Sequence, residues 1–121
     1  MKLSDLNESE GLALMAVLRL IISSDETLSA PESKILVRCA NELGSERFRQ
    51  LRDQAGETFK ARGALHSAVR AVERPEAQLL LYRTALEAAQ SDGLAELELE
   101  RLVWIAEQWK LAVDPANGQP R

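Results

Sequence analysis

Between Leu12 and Ile22 the apolar residues leave no polar face. Leu12, Leu14, Met15, Val17, Leu18, Leu20, Ile21 and Ile22 surround a helix almost completely, and Arg19 alone interrupts them. A helix apolar all round belongs in the middle of a bundle. Asn7 followed by Glu10 has the spacing of a capping box, so a helix is predicted over residues 8–24. The next opens at Ser29-Ala30-Pro31-Glu32, where Ser29 caps, Pro31 tolerates a missing N–H in the first turn, and Glu32 takes the capping-box position. Ile35, Leu36, Cys39, Ala40 and Leu43 give it one apolar stripe, and Gly44 supplies the stop.

Farther along, residues 45–54 read as a short helix with Phe48 and Leu51 inward, after which Gly56 and Gly63 bracket a poorly patterned connection. Helical spacing returns over 64–73 through Leu65, Ala68, Val69 and Val72. Pro75 suits the first turn of a helix running to about residue 90, again apolar nearly all round through Leu79, Leu80, Leu81, Tyr82, Ala85, Leu86, Ala88 and Ala89. The last predicted helix, 95–109, is one-sided. Residues 1–111 form the expected domain, and 112–121, with Asp114-Pro115-Ala116-Asn117-Gly118, a mobile C-terminal tail.

Two stretches repeat one plan. In IISSDETLSAPESKILVRCANELG (21–44) and AAQSDGLAELELERLVWIAEQWKL (88–111), an all-round apolar helix ends at Ser-Asp, the chain bends, and an amphipathic helix begins. The period is 66 or 67 residues, so Cys39-Ala40 aligns with Ile105-Ala106 and Glu32 with Glu98. The expected fold is an all-α, single-domain bundle of five to seven helices built from a duplicated helix-bend-helix unit. Its two central apolar helices lie against each other, with the amphipathic helices outside.

Composition supports this reading and removes several functions. Leu, Ala, Glu and Arg dominate, and at 121 residues the chain buries a sizeable core without staples. The single Cys39 has no disulfide partner and no zinc-type company, which suits a reducing, cytoplasmic setting. An apolar run of 11 residues falls short of the roughly 20 that a membrane span requires, so no membrane insertion is expected. The net charge of -4 divides into +3 over residues 45–75 and -7 elsewhere. That basic surplus is spread out and lacks aromatic interleaving, so no nucleic acid is expected. The lone His66 falls on a polar face, Cys39 falls on an apolar stripe, and no nucleophile-base-acid motif or phosphate loop occurs, which argues against an enzyme.

The remaining chemistry lies at the bends. Asp25 and Glu32 flank the first; Asp92, Glu96, Glu98 and Glu100 crowd the second without a basic residue among them. Hard cations such as Ca²⁺, Mg²⁺ or Mn²⁺ take such carboxylate oxygens, often several from one loop. Helix capping and the helix dipole account for the same acids without any ion. On the last helix Leu97 and Trp104 recur seven residues apart, outside the stripe of Leu99, Leu102, Val103, Ala106 and Trp109. This surplus either tucks under the connection between residues 54 and 64 or forms a contact patch, where Trp is enriched.

An Asp, then a Glu, then apolar pairs ending in Ala, occurring twice in about 120 residues, resembles the TerB-like family of tellurite-resistance and DnaJ-type co-chaperone domains. In that family the bend reads Asp-Gly with a Glu seven positions after the Asp, and these acids are the proposed metal- or partner-binding positions. Here Asp25 and Glu32 keep the spacing but Glu26 replaces Gly, whereas Asp92-Gly93 keeps the dipeptide and Glu98 comes at six. The resemblance implies a non-enzymatic, cytoplasmic binding or adaptor module in a stress-response context. Asp25, Glu32, Asp92, Glu96 and Glu98 would hold the divalent cation that is the expected cofactor, and Leu97, Glu100 and Trp104 would meet a protein partner. The alternative is a structural homodimer without metal, its acids serving only as caps and solubility groups.

Overall fold

The computed structural model describes residues 1–22, 30–91 and 96–121. After a 3-10 turn at Leu3–Asp5 come six helices: α1 (Glu8–Ile22), α2 (Ala30–Leu43), α3 (Ser45–Thr58), α4 (Ala64–Arg70), α5 (Pro75–Gln90) and α6 (Glu96–Gln108). Among the described residues the only extended pairing is one bridge between Val113 and Pro120, so the chain is an all-α bundle. No helix among them is long and apolar enough to cross a membrane.

The two all-round apolar helices meet as expected. α1 packs most extensively on α5, and Ala13, Leu14, Val17, Ile21, Leu81, Tyr82, Ala85 and Ala89 are buried between them and their neighbours. α1 begins where Asn7 and Glu10 cap each other: the Asn7 amide donates to Glu10 Oε1 at 2.9 Å, and the Glu10 amide donates to Asn7 Oδ1 at 2.8 Å. The same Glu10 carboxylate is buried and accepts both Nε (2.7 Å) and Nη2 of Arg74, the residue that precedes α5. This fork joins the starts of the two central helices. The Arg74 guanidinium holds the Glu10 carboxyl below the usual carboxylate range; burial opposes this, and the Asn7 amide assists it.

α2 lies on α3 and α5, and α6 lies on α5, α1 and α4. Gly44, at φ +93°, turns the chain from α2 into α3, a backbone region that favours glycine. Two boundaries differ from those the pattern predicts. α3 continues to Thr58, past Gly56, because Phe48, Leu51, Ala55 and Phe59 sustain an inward stripe that outweighs the roughly 1 kcal/mol cost of a helical glycine. α4 stops at Arg70, where the Val69 carbonyl accepts from the Val72 amide (3.4 Å) in a tight closing turn and from the Trp109 indole (2.8 Å).

The chain beyond α6, read from the sequence as a mobile tail, folds back on the bundle. Asp114 and Gln119 pair through backbone (2.9 Å), the Gly118 amide donates to the Asp114 carbonyl (2.7 Å), and the buried Tyr82 hydroxyl donates to the Gly118 carbonyl (2.5 Å). Gly118 sits at φ +74°, so close to Tyr82, Leu86 and Leu102 that a side chain there would press on all three. Hydrophilic composition hid an anchor that consists of one glycine and one tyrosine. Burial of that phenol pushes its pKa up to about 12.

Candidate functional site

The acidic residues divide three ways. Asp25 and Asp92 lie outside the described residues, as does the Ser29 cap. Glu32 is buried in the first turn of α2, Glu98 is half-buried, and Glu96 and Glu100 are exposed on α6. Among the described residues no three His, Cys, Asp or Glu side chains gather as a metal group.

Glu96 and Glu100 do come together with Trp104. With Leu99, Val103, Glu107 and Pro115 they line a shallow notch of about 360 Å³ along α6. Trp104 is half-buried rather than bare: the His66 ring meets it edge-on, centroids 4.8 Å apart, and the Arg70 guanidinium lies 5.7 Å from its centre. The residue therefore tucks against α4 and stays partly exposed. Leu97, by contrast, is 48% exposed. His66 itself is exposed, as its polar helix face predicts.

A more apolar opening lies elsewhere. Between α1, α2 and α3 is a half-open groove of about 420 Å³ whose lining includes Met15, Leu18 and Ile22 from α1, Leu36, Val37 and Ala40 from α2, and Phe48 and Ala55 from α3. α1 and α2 touch only sparsely along their described residues, and α3 bridges them from one side. Val37 is 59% exposed although no soluble core needs it there. Fully burying an exposed aliphatic side chain of this kind is worth about 1.5–3 kcal/mol.

Two arginines complete the groove. Arg19 from α1 lies with its guanidinium 5.4 Å from the centre of the Phe59 ring, and Arg52 from α3 is exposed. Asp53 approaches Arg52 Nε at 3.8 Å, a solvent-exposed pair worth at most about 1 kcal/mol. Among the described residues Arg19 and Arg52 are the only ionisable groups in the lining. The volume falls in the range of sites that take small molecules or side-chain anchors.

Sequence pattern pointed at α6 and missed this groove. Its two available signals were Val37, outside the α2 stripe, and Arg19, the one charge in the apolar run. Cys39, buried on α2, offers no reactive thiol: burial pushes its pKa up to about 11, against the lowering influence of Arg38.

Among the described residues the all-α bundle thus presents an apolar groove and an acidic notch. In comparisons with known proteins the chain matches no family model, and neither a curated protein nor a solved structure matches it significantly.

Proposed function

We propose that this chain is a non-enzymatic binding module of the TerB-like kind, an adaptor that seats an apolar part of a partner in the groove between α1, α2 and α3. One observation carries the reading: Val37, Leu36 and Ala40 leave an apolar wall open to solvent, whereas the matching seam of the second half is closed. Such a surface costs solubility unless something covers it. The single Cys39 supports a reducing, cytoplasmic setting, and the resemblance of the two acidic bends supports a stress-response role.

The test is fluorescence of anilinonaphthalene sulfonate, an apolar anion. Emission is expected to rise saturably with the native chain and to fall away with Ala40→Trp, which fills the groove, while circular dichroism stays unchanged. Equal emission from both proteins would rule the groove out as the binding site.

A divalent cation is a separate element of the proposal, supported by the resemblance alone, and it would draw on Asp25 and Asp92. Saturable heat with Ca²⁺, Mg²⁺ or Mn²⁺ that Asp92→Asn abolishes would support it; no heat at millimolar ion would end it. The homodimer reading has one specific observation in its favour, the exposure of Leu97 beside Glu96 and Glu100. Light scattering of a native dimer that Leu97→Glu converts to a monomer would support that reading, and a native monomer would end it.

A further inference from the structure

The repeat shows what the groove is missing. On the period of 66 or 67 residues, Met15, Arg19 and Leu36 correspond to Tyr82, Leu86 and Leu102. Those three second-half residues are the ones that close around Gly118: an added side chain there would sit 3.3 Å from the Tyr82 hydroxyl and 3.4 Å from both Leu86 and Leu102. Even the turns correspond. Gly44 after α2 and Lys110 after α6 both have positive φ, at +93° and +53°. In the second half the chain then lays a polypeptide turn into the seam; in the first half it continues as α3, which stands off and leaves about 420 Å³ open.

Charge distinguishes the two seams as well. The position of Leu86, apolar and buried, is taken in the first half by Arg19. Arg52 stands on the facing wall, and the adjoining polar notch adds Arg49 against a single Glu46. Among the described residues the groove lining holds no carboxylate.

We infer that the groove takes an acidic polypeptide segment of a partner protein, whose apolar side chains enter the space that the chain's own tail fills in the second half while a carboxylate meets Arg52. The inference rests on the proposed reading of the groove as a binding site. A polypeptide is favoured over a small apolar acid because the corresponding seam is closed by backbone and turn. The Arg52 guanidinium selects an acid over a base by position more than by strength.

The experiment is selection of twelve-residue peptides from a random displayed library on the full chain, then binding of the best peptide, and separately of dodecanoate, to variants. Enriched peptides are expected to carry Asp or Glu beside apolar residues. The best of them should lose binding to Ala40→Trp and to Val37→Glu, the latter an exposed position that leaves the core untouched. It should weaken about tenfold on Arg52→Glu and recover when its acid is changed to Lys. Groove-bound peptides without acids, indifferent to Arg52→Glu, would overturn the acidic partner and leave the groove reading standing. Dodecanoate binding that depends on the groove, with no peptide enriched, would overturn the polypeptide alone. If neither probe distinguishes the native chain from Ala40→Trp, the inference and the reading beneath it both fail.

Discussion

Leu36 and Leu102 occupy the same place in the two halves of this chain, yet Leu102 is wholly buried and Leu36 is half-exposed. The neighbouring pairs agree: Ala106 is buried where Ala40 is not, and Val103 is half-covered where Val37 is 59% exposed. One duplicated unit has thus produced a closed seam between α5 and α6 and an open one between α1 and α2. The helices themselves do not account for the difference. The segment after each amphipathic helix does: the tail of residues 112–121, pinned by Tyr82 and Gly118, in one case, and the helix α3 in the other.

The strongest way to sharpen the comparison is to truncate the matched leucines. Leu102→Ala is expected to cost about 3 kcal/mol, in the range of buried leucine truncations, and Leu36→Ala only about 1 kcal/mol because its site is already open. Denaturant melts of both variants check it; equal losses would erase the distinction. Next come the tail anchors. Tyr82→Phe leaves the Gly118 carbonyl without its donor and should cost about 1–2 kcal/mol, and Gly118→Ala about 1 kcal/mol from left-handed backbone and crowding. Both variants should also create new anilinonaphthalene sulfonate binding at α5 and α6, since loosening the tail opens the second seam.

Glu10 shapes the acid limb of stability. Arg74 lowers its pKa in the folded chain, so its contribution is fully present above the ordinary carboxylate pKa and is lost as pH falls through the depressed folded value. Glu10→Gln is expected to lower the melting temperature at neutral pH and to flatten its decline below about pH 4, near the ordinary Glu pKa. An unchanged acid limb would contradict the clamp. The smallest effect belongs to Val37→Glu, within about 0.5 kcal/mol, because that side chain already faces water.

Much of this architecture was legible in periodicity. The 3.6-residue pattern named the central pair, Asn7 and Glu10 marked the start of α1, and Pro75 marked that of α5. Three features were not legible, each for a physical reason. The Glu10–Arg74 fork joins residues 64 apart in the chain, beyond any local pattern. The tail reads as polar turn chemistry, and its docking depends on one buried hydroxyl and one positive φ. The groove is an absence of packing, and an absence leaves no period in a sequence; only Val37 and Arg19 hinted at it. The acidic bends were the most visible feature, yet Asp25 and Asp92 lie outside the described residues, and Glu96 and Glu100 share a face with a tryptophan already half-covered by α4.

The most direct measurement is a methyl-resolved NMR titration of the full chain with anilinonaphthalene sulfonate. Shifts are expected at Ile22, Leu36 and Val37, with Leu86 and the counterparts Leu102 and Val103 unmoved. Shifts in both seams alike, or in neither, would contradict an arrangement in which the chain seals one half of itself and leaves the other open.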